Sequence, residues 1–207
     1  GTLGVTQTIT DADGDSITSD VLNIGNGDYL AIQDDGPTAT LPDPEALEGV
    51  TATLDESPLP EAGDGVYTTT LDVAPAFTGT GAGSYGTDDA GSTTYALSLT
   101  GTNVSSGFYL LDPTDTDATG GLGKGTEILL VKNSDGSVSG MADATEVFSL
   151  TVDNSGKVTF AYSDSDPANI WHPDDTSDDE GVFLDTGLTG TLGVTQTITD
   201  ADGDSIT

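Results

Sequence analysis

The chain has 207 residues and a formal net charge of −33, from 36 acids against three lysines, with no arginine and no cysteine. Such a balance repels the phosphates of nucleic acids and anionic membrane surfaces, and it leaves no disulfide to staple a fold. Hydrophobic residues make up 34% and aromatics 6%, so the core must be thin per residue.

The first element is a repeat. GTLGVTQTITDADGDSIT spans residues 1–18 and returns letter for letter at 190–207, an offset of 189 residues from Gly1 to Gly190. Identity over this length predicts a tandem array of 189-residue units, each a domain in its own right rather than a short solenoid turn. The sequence then holds two pieces. Residues 1–36 are expected to be the C-terminal strands of one unit, and residues 37–207 most of the next. The adjoining identical units would be the partners. Whether residues 1–36 complete a domain within the chain or between neighbours stays open. No signal peptide is visible, as expected of an internal repeat.

In chain order, VTQTIT, DADGD and SITSDVLNIG predict a hairpin around an Asp-Gly turn, with DYLAIQ as a third strand. QDDGPTATLPDPEALEGV, residues 33–50, carries three prolines and reads as a linker, with a helical turn at PEALEG. Strands are then expected at VTATLDES, GVYTTTLDV, TTYALSLTG, GFYLLD, TEILLVK, GSVSG, TEVFSLTVD, KVTFAY and GVFLD, with a second helical turn at PANIWH. Gly, Asp, Asn and Ser fill the gaps, and VDNSGKVTF has the composition of a hairpin. The whole predicts an all-β fold: an antiparallel sandwich, Ig-like or an elaborated Greek key. No apolar stretch reaches 18 residues, so no membrane-inserted helix is expected.

The charge pattern names the candidate sites. The first 123 residues carry 20 acids and no base, so only water, salt or a bound cation can relieve their repulsion. TDADGDS sets Asp11, Asp13 and Asp15 on one tight turn, and its copy sets Asp200, Asp202 and Asp204. Ca²⁺ takes several oxygen ligands from such loops. The spacing is not that of an EF-hand, because Gly14 stands at loop position 4 and Leu22 at position 12. A solvated Asp-Gly turn is the alternative. Asp34 and Asp35, in DDGP at the unit junction, form a second candidate, with LDES (Asp55, Glu56) as a possible co-ligand. The loops holding Asp88 and Asp89, Asp112, Asp115 and Asp117, and Asp174 to Glu180 read as solvated acidic surface that is able to take calcium. GGLGKGTEI, residues 120–128, reads as a flexible loop.

His172 and Trp171 are the only His and Trp. A packed corner of the sandwich is the simplest reading of the pair. A calcium-dependent glycan or peptide site built from Trp171, Tyr85 and the 172–181 loop is the other. Nothing reads as a nucleophile motif, and an enzyme is not expected.

TITDADGDSIT, DDGPT, LDESP, YGTDDAGSTTYALSL, VFSLTVDNSGKVTF and IWHP, in that order, resemble the long tandem repeats of giant RTX-type adhesins exported by type I secretion in Gram-negative bacteria. The resemblance implies a β-sandwich extender, a spacer repeat rigidified by Ca²⁺, on an extracellular protein of the bacterial cell surface that serves adhesion and biofilm formation. It implies no catalysis. It also implies calcium association for Asp11, Asp13, Asp15, Asp34, Asp35, Asp200, Asp202 and Asp204.

Overall fold

The computed structural model describes residues 1–39, 41–56, 66–78, 82–116, 121–163, 169–173 and 181–207. Asp117, the acidic run 174–180, Ser57 of VTATLDES and the first two residues of PANIWH lie outside them. The chain divides into two compact units, Gly1–Asp35 and Gly36–Thr207.

Unit 1 contains two small antiparallel ladders. β1 (Gly4–Val5) pairs with β4 (Leu22–Asn23), and β2 (Thr8–Thr10) pairs with β3 (Ser16–Thr18). The predicted Asp-Gly hairpin is present, with Gly14 at φ +101° in the turn, where a Cβ would be strained. DYLAIQ is not a strand. Its Tyr29, Leu30 and Ile32 are exposed.

Unit 2 is all-β. Its larger sheet has six antiparallel strands in the order β5-β11-β10-β9-β8-β7. These are β5 (Thr68–Asp72), β7 (Val104–Leu111), β8 (Lys124–Lys132), β9 (Val138–Ala142), β10 (Thr145–Val152) and β11 (Lys157–Tyr162). Five of them run as a meander; from β8 to β11 the connections are short turns, which can only return a strand to its neighbour's edge. One such turn is VDNSGK. There Asp153 N–H donates to Lys157 O at 3.0 Å, and Asp153 Oδ1 accepts from Ser155 N at 2.8 Å and Lys157 N at 3.0 Å.

The smaller sheet is β13-β12-β6, with β6 (Ala90–Gly101), β12 (Gly190–Asp200) and β13 (Ser205–Ile206). β6 and β12 pair from Gly101↔Gly190 to Ala90↔Asp200. Both sheets feed one core. Leu97 of β6, with the half-buried Leu192 and Val194 of β12, joins Val104, Phe108, Ile128 and Phe148 of the larger sheet. Phe148 is its centre, edge-on to Phe108 at 5.7 Å and to Phe160 at 5.2 Å. A bulge in β10 between Glu146 and Phe148 turns consecutive residues Val147 and Phe148 both inward. Lys132 Nζ, from the larger sheet, donates to the Leu97 carbonyl of the smaller one.

The expected linker is not free chain beyond Gly36. Thr38 bridges Ser84, Asp43 N donates to Ala76 O at 2.7 Å, and Pro44–Leu47 form the predicted helical turn, of the 3-10 type. Asp43 caps that turn by accepting from Glu45 N at 3.0 Å. A second 3-10 turn, Ala74–Phe77, was not expected; Pro75 in its first turn presets φ. Residues 50–56 and 181–185, both read as strands, are irregular. Residues 169–172 of PANIWH hold no helical turn; Ile170 instead bridges Leu110.

Candidate cation site

The DADGDS turn exists twice, and its backbone is built the same way each time. In the first copy, Asp11 Oδ1 accepts from Gly14 N at 3.1 Å and from Asp15 N at 2.9 Å. In the second, Asp200 Oδ1 accepts from Gly203 N at 3.0 Å and Asp204 N at 2.8 Å. Each leading Asp thus spends one oxygen on closing the turn.

The two copies differ in their surroundings. Asp11, Asp13 and Asp15 are all exposed, and each offers a carboxylate oxygen within 4.8 Å of the other two. A hydrogen bond with the Asp13 side chain, then backbone N–H groups of the loop, hold the Asp11 carboxyl below the usual carboxylate range. Asp200 is only 3% exposed, and its Oδ2 is buried with no hydrogen-bond partner. A buried carboxylate oxygen without a donor costs free energy unless something positive meets it. Asp202 and Asp204 are exposed beside it in sequence.

Asp200 is buried because of strand geometry. Side chains two apart share a face, so Asp200 follows Leu192, Val194, Gln196 and Ile198 on the inward face of β12. Its backbone lies opposite Ala90, after a bulge at Thr199/Asp200. A Cβ on Gly91 would collide with the Thr199 and Asp200 carbonyl oxygens, so a glycine there admits the close approach. The turn leading into Ala90 carries Asp88, half-buried, and Asp89, held at φ +62°. From the sequence, Asp88 reads as solvated acidic surface able to take calcium, with nothing linking it to Asp200. The structure places it two residues from Asp200's strand partner.

Asp34 and Asp35 are exposed at the end of unit 1. The suggested co-ligand Glu56 is engaged inside unit 2. Its Oε2 accepts from Ile170 N at 2.9 Å, and its Oε1 lies 3.4 Å from His172 Nε2. Burial, then the charges of Glu56 and Asp55, push the Tyr162 hydroxyl up to about 12.

Trp171 is half-buried in a corner. Its ring meets Tyr109 edge-on at 6.1 Å, and its Nε1 donates to Leu122 O at 2.9 Å. Lys124 Nζ stands 3.8 Å from the Tyr109 ring centre and 5.0 Å from that of Trp171. An open groove beside it is lined by Tyr109, Glu127, Trp171, Phe183 and Asp185. Tyr85 is elsewhere, its hydroxyl 2.9 Å from Thr93 Oγ1 on β6. Tyr109, Lys124 and Phe183 were not singled out from the sequence.

The fold and the doubled acidic turn define an all-β domain with a repeated aspartate loop. The chain belongs to the DUF5801 family, described as a domain of unknown function, whose family model matches residues 51–207. No curated protein and no solved structure matches it.

Proposed function

We propose that the chain is a non-catalytic extender repeat of a long, secreted adhesin of the bacterial cell surface, rigidified by Ca²⁺ bound at its aspartate turns. The RTX-type, type I-secreted resemblance of its motifs supports that setting, with adjoining copies of the unit as partners. One observation carries the cation: the Asp200 carboxylate, 3% exposed, with Oδ2 unsatisfied in a loop that also holds Asp202 and Asp204. A hard divalent ion accepts such an oxygen and takes its remaining ligands from neighbouring carboxylates, backbone carbonyls and water. Charge neutralisation then locks the turn that joins β12 to β13 and favours the compact state of a strongly self-repelling chain.

Calorimetric titration of the chain with Ca²⁺ tests this reading. Saturable binding, reduced by one site in D200N, is expected; no binding heat at millimolar Ca²⁺ overturns it.

A second reading, a calcium-dependent glycan- or peptide-binding module, draws on the groove at Trp171. Phe183 is 72% exposed there, next to aromatic rings and two carboxylates. Quenching or a shift of the single tryptophan's fluorescence by a glycan panel in Ca²⁺ would favour it.

A further inference from the structure

The same 18 residues occupy two states in this one chain, and the difference between them defines an interaction surface. In unit 2 the segment is a hairpin seated on β6. In unit 1 it is the same hairpin with nothing described on the corresponding edge.

The hairpins agree in detail. Ile198 pairs with Ile206 and Thr199 with Ser205 in one, Ile9 with Ile17 and Thr10 with Ser16 in the other. The hydroxyls of Thr197 and Thr207 lie 2.7 Å apart, and those of Thr8 and Thr18 lie 2.8 Å apart. The Thr199–Ser205 pair at 2.9 Å is matched by Thr10–Ser16 at 2.7 Å. Thus the turn and its register form without β6.

The apolar face is what lacks a partner. In unit 2, Leu192, Val194 and Ile198 stand opposite Leu99, Leu97 and Thr93 of β6, and Ile198 is 5% exposed. Their counterparts Leu3, Val5 and Ile9 are 57%, 55% and 58% exposed. Both ladders of unit 1 are two-stranded, so a second edge of backbone N–H and C=O groups is available for strand addition.

We propose that residues 2–10 are a closing strand for a second copy of the unit, docking on that copy's β6 (Ala90–Gly101) in the register Thr6 opposite Ala96. The occupant is identified by the molecule itself, since a letter-identical segment sits on β6 in this register. The proposal does not depend on a metal.

Because donor and resident strands are identical, their contacts on β6 are too. Only tethering favours the resident, whose effective concentration is on the order of millimolar. At about 10 μM chain the exchanged form is then a minority of order one in a hundred, and a covalent trap is needed to collect it.

The chain has no cysteine, which makes the trap clean. Full-length T6C and A96C chains, carrying different mass tags, are mixed and held under oxidising conditions. Thr195 and Ala96, the resident counterparts of this pair, are both exposed, so neither cysteine disturbs the core. The expected result is a disulfide-linked heterodimer that accumulates with time. Adding I9D to the donor should cut its yield at least tenfold. Moving the donor cysteine to Thr2, whose counterpart Thr191 faces Thr100, should do the same. No heterodimer, or a yield unchanged by either alteration, overturns the proposal. The Thr2 variant leaves Ile9 and the hairpin intact, so it separates wrong register from a damaged donor.

Discussion

Asp11 and Asp200 stand at the same position of identical 18-residue segments, yet Asp11 is exposed and Asp200 is 3% exposed. Local sequence is held constant, so the difference belongs to context. β6 pairs with the strand ahead of Asp200 and carries Asp200 into a sheet interior, where its second oxygen has no donor. The same turn chemistry therefore has two energetic meanings.

That contrast predicts opposite behaviour for two conservative substitutions. In chelator, D200N should leave the melting temperature unchanged or raise it, because it removes a buried charge whose second oxygen has no donor. In saturating Ca²⁺ it should lose most of the calcium-dependent gain. D11N should alter the main transition by no more than about 1–2 °C, in line with surface changes within about ±0.5 kcal/mol. Differential scanning calorimetry of both variants checks this.

Core packing around Phe148 yields a second expectation. A Cβ at Gly140 would strike the Phe148 ring, which is itself 1% exposed. G140A should cost about 1–3 kcal/mol by overpacking. F148A should cost about 3–5 kcal/mol by leaving a cavity. Urea denaturation midpoints, at unchanged slope, give both values.

Acid should act through Glu146. Hydrogen bonds from Ser139 and then Ser163 hold its carboxyl below the usual range. A depressed folded-state value means that this group's contribution is full above the unfolded value of about 4.3 and disappears as pH falls through the folded value. The stability gap between the parent chain and E146Q should be constant from pH 7 to about 5 and shrink below about 4. Relief of the −33 charge acts in the opposite direction in both proteins, so only the difference between them isolates Glu146.

Lys124 offers a fourth test. Its ammonium lies over Tyr109 and near Trp171, a placement worth about 0.5–1 kcal/mol at exposed sites. K124M should keep the fold, lower stability by about that amount and shift the emission of the single tryptophan. Fluorescence-detected urea unfolding reads both.

Much of the fold was legible because turn residues and apolar runs coincide. TEVFSLTVD, KVTFAY and TEILLVK became β10, β11 and β8, since each has a neighbour one short turn away. DYLAIQ, residues 50–56 of VTATLDES and GVFLD carry similar apolar patterns and formed no strand. Alternation marks which face can be buried but not whether a free edge lies alongside. Ile32 and Phe183 remain 102% and 72% exposed accordingly.

The candidate site was half legible. Spacing located the carboxylates of DADGDS, but identical letters gave no ground for separating Asp200 from Asp11. What spacing did not contain was the partner strand. The pairing of Ala90 with Asp200 spans more than a hundred residues and brings the Asp88 turn to that end of the strand pair.

The most direct measurement is thermal unfolding of the chain in millimolar Ca²⁺, in chelator and in Mg²⁺. Saturation to 100 times the dissociation constant stabilises by about 2.7 kcal/mol per site, or about 5–10 °C for a domain of this size. A rise of that order with Ca²⁺ and not with Mg²⁺ is the predicted result. Equal melting temperatures in all three solutions would contradict the account and leave the aspartates as solvated surface.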